Sequence, residues 1–157
     1  MPDFSSGKYS AYPYGLGFFA GIAVTVSNVN IYLTGHKMEQ SPEHALMQRF
    51  YAHIELGSAP FIANAGPHNF VAPGDIFHGV SNVSIHGPGM LGRTSHHGIH
   101  GNNANNVIID RVTFGDFEVA AVGLNLVNGL KISNCHVTGT RTDVPVLAMF
   151  SAARFIR

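Results

Sequence analysis

The segments Asn82-Val83-Ser84-Ile85, Asn106-Val107-Ile108-Ile109 and Gly129-Leu130-Lys131-Ile132 repeat one pattern, with steps of 24 residues from Val83 to Val107 and 23 from Val107 to Leu130. Alternating apolar residues, each run opened by Asn or Gly, fit strands that lie on top of one another. Stacking makes neighbours of side chains two dozen positions apart, so function is sought in columns and not in local strings. Asn28-Val29-Asn30-Ile31 carries the same pattern upstream, and Phe50, Ala52, Ile54 and Leu56 alternate with period two. Coils are therefore expected near residues 30, 53, 84, 108 and 131, one of them enlarged by a loop over 57–74. A second short strand is expected at Ile22-Ala23-Val24, Phe77-His78, Ile99-His100 and Leu124-Asn125, and a third at Met90-Leu91, Phe114 and Val137.

Three strands per coil describe an all-β, parallel β-helix with three sheets and about five coils, filling one domain over residues 1–157. The expected divisions are an N-terminal cap at about 1–20, coils at about 21–148 and a tail at 149–157. Ser41-Pro42-Glu43 interrupts the strands with a helix start: a capping serine, proline in the first turn and an early acid. A short helix near 42–48 followed by a strand is preferred over one helix reaching Leu56, because the coil period puts a strand near Ile54. Exposed strand edges at the two ends need covering. Tyr9, Tyr12, Tyr14, Phe18 and Phe19 can cap the first coil. At the other end, either Ala152–Arg157 folds over the opening, or the end pairs with another chain, or the sequence is a fragment.

Composition narrows the partners. Only 11% of residues are charged, against about 25% in ordinary soluble domains, and polarity comes from 18 Gly, 10 His and many Asn. Nine basic residues balance nine acidic ones, which gives no basis for a nucleic-acid partner. The single Cys135 excludes an intramolecular disulfide and reads as a buried thiol. Met1-Pro2-Asp3 lacks the basic start of a signal peptide, and the apolar run from Gly15 to Val26 is too short for a membrane span.

The period and turn chemistry over residues 20–148 resemble the right-handed parallel β-helix superfamily that contains pectate lyases and polygalacturonases. Ser41-Pro42-Glu43-His44-Ala45 and Ser95-His96-His97-Gly98-Ile99-His100-Gly101-Asn102 resemble uncharacterised β-helix proteins of large DNA viruses, which implies a virion or host-cell setting. The Asn-Thr-Asp, Asp-Asp and Gly-His-Gly motifs of polygalacturonases do not occur, and Arg141-Thr142-Asp143-Val144-Pro145 does not reproduce the arginine motif of pectate lyases.

Three groups can carry chemistry. Tyr32, His86, Asp110 and Ser133 form one column, in which a His86–Asp110 hydrogen bond is expected and the order of residues is wrong for a triad. Aligning Phe77, Ile99 and Leu124 places His78, His100 and Asn125 in a second column, beside His96 and His97. Asp110, Asp116 and Glu118 supply close acids, the last two alternating around Phe117. The candidate catalytic residues are His100 as acid/base with Asp116 or Glu118; the candidate substrate contacts are His78, Asn125, Arg111 and Tyr32. No cofactor and no metal ligand set is assigned, although several imidazoles on one edge leave a metal-dependent enzyme as a third reading. The leading reading is a carbohydrate-binding or carbohydrate-processing protein, a polysaccharide lyase or glycoside hydrolase if it is an enzyme. Its alternative is a structural or adhesive module that forms homo-oligomers through its exposed coil ends.

Overall fold

The computed structural model of the protein describes residues 19–47, 51–57 and 79–140. The N-terminal aromatic cluster before Phe19, the loop over 58–74, Phe77-His78, Arg141–Pro145 and the C-terminal tail lie outside the described residues. The strands are β1 (Phe19–Val24), β2 (Val29–Tyr32), β3 (Lys37–Met38), β4 (Tyr51–Leu56), β5 (Val80–Leu91), β6 (His97–Asn102), β7 (Ala104–Phe114), β8 (Ala120–Asn125), β9 (Asn128–Ser133) and β10 (His136–Val137). Among the described residues one helix, α1 (Pro42–Met47), stands between β3 and β4. Its start follows from the sequence: the Ser41 hydroxyl accepts the His44 backbone N–H at 3.1 Å, satisfying a donor that the first turn leaves without a helical partner.

Among the described residues all strand pairing is parallel, in two sheets. The four-stranded sheet runs β1-β4-β6-β8; the six-stranded sheet runs β10-β7-β5-β2, with β3 also on β5 and β9 also on β7. Val83 pairs with Val107 and Val107 with Leu130; Ile85 pairs with Ile109 and Ile109 with Ile132. Inward residues of both sheets (Ile54 and Ile99 from one, Val83, Ile85 and Ile109 from the other) meet in one apolar core and are fully buried. Each such side chain contributes roughly 1.5–3 kcal/mol of transfer free energy.

The right-handed parallel β-helix of about five three-sheet coils, and with it the pectate-lyase-like solenoid label, is corrected by this architecture. Among the described residues the strands form two sheets and no closed solenoid. The corner expected between the regular repeat strands and the third strands does not separate sheets, because β5 and β7 run straight through it. Between His86↔Asp110 and Gly89↔Val112, the two residues Gly87 and Pro88 oppose the single Arg111. A bulge of this kind bends a strand without ending its pairing. It demands glycine: a Cβ at position 87 would lie 1.7 Å from the Arg111 carbonyl oxygen. Met90-Leu91, Phe114 and Val137 consequently belong to the same sheet as Val83, Val107 and Leu130.

A second correction concerns order. The period-two segment at 51–56 does not stack between the strands at 30 and 84; β4 joins the other sheet, between β1 and β6. Val29 pairs directly with Val83, across a separation of 54 residues that Asn28 and Asn82 share. Alternation alone suits either sheet, and the long excursion through α1 and β4 conceals which one the strand enters.

Candidate functional site

Outward residues of the six-stranded sheet form columns at the strand spacing of about 4.8 Å. Asn28, Asn82 and Asn106 all hold left-handed backbone conformations, with φ of 65°, 58° and 52°. Asparagine tolerates that region better than most residues and can bond its own copy on the next strand. Asn82 Nδ2 donates to Asn28 Oδ1 at 2.9 Å, and Asn106 Nδ2 donates to Asn82 Oδ1 at 3.1 Å. The next strand carries Gly129 there (φ 75°), where a Cβ would press on Asn106 Oδ1 at 2.9 Å. Beside this ladder runs the column Asn30, Ser84, Ile108 and Lys131, joined by the register and by a hydrogen bond from the Ser84 hydroxyl to Asn30 Oδ1. The two columns line a groove of about 680 Å³ that crosses four strands. Among the described residues that line it, the charged one is Lys131.

Two positions along each strand, Tyr32, His86, Asp110 and Ser133 stand in register, as the column reading required. Tyr32 is 67% exposed and stacks on His86 with ring centres 5.4 Å apart and planes 21° from parallel. The partners of Asp110 differ from the expected histidine. Its Oδ1 accepts from Asn134 Nδ2 at 2.8 Å and Ser133 Oγ at 2.9 Å, and its Oδ2 accepts from Arg111 Nε at 2.9 Å. These donors hold the carboxyl down to about 2, the Asn134 and Ser133 bonds first and Arg111 after them. Ser133 is thereby bonded straight to the acid, which rules it out as a histidine-activated nucleophile in this arrangement. Arg111, a candidate substrate contact, lies against Asp110.

The four-stranded sheet gathers ionisable groups instead. Register sets Glu55 opposite His100 and His100 opposite Gly123. His100 Nδ1 lies 2.9 and 2.8 Å from the two carboxylate oxygens of Glu55, and both residues are almost fully buried. His97 tilts against His100 with ring centres 4.8 Å apart, and His96 Nδ1 meets His97 Nδ1 at 2.5 Å. Burial first, then the neighbouring His96 and His100, push the His97 imidazole down to about 3. Its seat exists because residue 123 is glycine: a Cβ there would lie 2.7 Å from the His97 ring. Among the described residues no group of three or more His, Cys, Asp or Glu is arranged to hold a metal ion. Nor is any helix among them long and apolar enough to cross a membrane.

The candidates from sequence are thus dispersed. His100 is paired with Glu55, which sequence reasoning missed; a carboxylate inside the buried run Tyr51–Leu56 was the available signal. Asp116 is exposed in the left-handed turn after β7, where its backbone N–H donates to Gly139 O, and Glu118 is half-buried before β8. Asn125 pairs with Asn102, two positions from the expected alignment with His100, and donates to its Oδ1 at 3.1 Å. Ile99 faces Val122 and not Leu124; two apolar residues of the same parity make a slip of two invisible to pattern reading. Tyr32 and Arg111 sit on the six-stranded sheet, and His78 lies outside the described residues. Cys135 is half-buried, its thiol donating to Ser133 O at 3.3 Å.

The two segments that suggested a viral setting have a structural explanation and are withdrawn as a sign of origin. Ser41 caps α1, and the Ser95 backbone N–H donates to the Oε1 of the adjoining Gln40 at 2.6 Å, so both segments serve one local joint. Comparison of the chain with protein-family models, with curated proteins and with solved structures finds no match to any of them.

Proposed function

We propose that the protein binds an extended, largely uncharged glycan along the outer face of the six-stranded sheet. The observation that carries this reading is the groove itself. Each of its four strands brings at least one polar side chain to the groove (Asn28 and Asn30, Asn82 and Ser84, Asn106, and Lys131), so a polymer of repeating units finds a polar contact on every strand. Each asparagine amide offers two donors and two acceptor sites, and the ladder uses only one of each, so sugar hydroxyls can be met by both kinds of partner. Tyr32 over His86 supplies an exposed flat ring pair next to the amides, a surface on which the apolar face of a sugar ring rests. The described lining is made of amides, a hydroxyl, apolar residues and Lys131, which suits a neutral chain or one that presents an anionic group near Lys131.

The test is a glycan array followed by calorimetry with the full chain. Binding of at least one oligosaccharide is expected, with Tyr32→Ala weakening it by about fivefold or more, the scale of a central aromatic contact. A folded protein that binds no neutral or acidic oligosaccharide, or a Tyr32→Ala variant with parental affinity, removes the reading.

A second reading, self-assembly as a structural module, draws on the last paired strands. Leu130, Ile132 and Val137 continue the inward columns yet are 41%, 49% and 53% exposed, apolar surface that a second copy can cover. Light scattering over a hundredfold range of concentration distinguishes the two. Growth in mass that Ile132→Lys abolishes supports assembly, and constant monomer mass contradicts it.

A further inference from the structure

The imidazole row on the four-stranded sheet has no role in glycan binding on the opposite sheet, and burying such groups is costly. We propose that it is an acid-operated latch: protonation of a second ring in the row His96–His97–His100 releases β6 from β4 and β8 while the six-stranded sheet stays paired. Geometry carries this. The three rings are contiguous, with centres 4.2 Å apart for His96–His97 and 4.8 Å for His97–His100. A single proton between His96 and His97 satisfies their 2.5 Å contact, since one nitrogen donates and the other accepts. Two protons turn the same part-buried contact into two donors facing each other.

Among the described residues one carboxylate is bonded to the row. From β4, Glu55 faces the row, and both its oxygens already lie on His100 Nδ1. From the β8 side, Ala120–Asn125 contains no ionisable residue, and Glu118 stands in the turn that leads into that strand. Gly123 gives His97 space but no hydrogen-bonding side chain. His97 is therefore kept neutral by burial and by its two neighbouring histidines. In the unfolded or locally opened chain the same ring titrates near 6.5. A histidine depressed in the closed state leaves closure unaffected above that value. As pH falls from about 6.5 toward about 3, the opened form takes up a proton that the closed form refuses, and closure weakens throughout that window. Fully expressed, the effect is about tenfold per pH unit. His53 on β4 is lowered in the same sense by burial, so the test reads the difference between parent and variant.

Amide hydrogen exchange of the full chain at pH 7.5 and 5.0, corrected for the intrinsic rates, measures this strand by strand. The expected result is a loss of protection of roughly tenfold or more in 97–102 at pH 5.0, with 105–110 unchanged. His97→Gln, which keeps a polar side chain but cannot titrate, is expected to flatten that loss. Equal protection of 97–102 at both pH values, or parental acid sensitivity in His97→Gln, overturns the proposal. Should His97→Gln not fold, Gly123→Ala carries the test: its methyl unseats the ring, and a parental slope in that variant overturns the proposal equally.

Discussion

The two sheets share one core and one mode of pairing, yet they treat polar side chains in opposite ways. The six-stranded sheet turns its polar residues outward and repeats them. Asn28, Asn82 and Asn106 bond one another, and Asp110 gathers three donors in partly solvated surroundings. The four-stranded sheet buries a carboxylate and imidazoles, each with a different partner from its neighbour. Repetition produces a surface of uniform spacing suited to a repeating ligand. Heterogeneous burial produces a region whose stability depends on protonation. Stacking geometry is therefore permissive, and the chemistry of each column decides what a sheet can do.

The largest effect is expected at the bulge that keeps the six-stranded sheet continuous. Gly87→Ala places a methyl against the Arg111 carbonyl oxygen, a backbone atom that cannot step aside, and a loss of about 4 kcal/mol or more is expected in urea unfolding. A near-neutral result would mean that the two halves of β5 are independent, which would break the comparison at its root. Next comes the other sheet. Glu55→Ala leaves His100 buried without its carboxylate and is expected to cost about 3–5 kcal/mol. Asp110→Asn, on the solvated sheet, is expected to leave the midpoint at pH 7 almost unmoved.

Inside and outside of one strand give the third contrast. Ile109→Ala removes a fully buried side chain and is expected to cost about 2–5 kcal/mol, whereas Ile108→Ala, at 39% exposure, is expected to stay within about 0.5 kcal/mol. Equal effects would deny the inward and outward assignment on which the groove rests. The smallest effect belongs to the excursion between the sheets: Ser41→Ala removes the cap of α1 and is expected to cost about 1 kcal/mol, read as a shift in the denaturation midpoint.

Some of this was legible in the sequence, for a definite reason. Where consecutive rungs have equal length, register follows from counting; hence Val83, Val107 and Leu130 fell into line, as did His86, Asp110 and Ser133, whereas Tyr32, 54 residues before His86, joins them through the shared pattern of Asn28-Val29-Asn30-Ile31. Where rungs differ in length, counting fails. Glu55 and His100 are 45 residues apart, so no regular period could join them, and the buried pair went unseen. The His100–Asn125 alignment failed through an apolar slip of two, which preserves every inward face. The number of sheets was hidden in Gly87-Pro88-Gly89, a string that reads as a corner but forms a bulge against Arg111. Asn106 and Asn102 each bond an asparagine on a neighbouring strand, because asparagine suits both the turn backbone and amide-to-amide bonding.

Every column invoked above depends on β7 and β9 lying parallel with position 108 opposite 131. Site-specific crosslinking tests that directly. In a Cys135→Ser background, Ile108→Cys with Lys131→Cys puts two thiols on one face at the strand spacing of about 4.8 Å, within the reach of a disulfide. Ile108→Cys with Ser133→Cys offsets them by two positions, beyond about 7 Å between Cα atoms. Rapid, near-complete oxidation of the first pair with little of the second is the expected result; a second pair that closes as readily, or a first pair that stays reduced, contradicts the register and the groove with it.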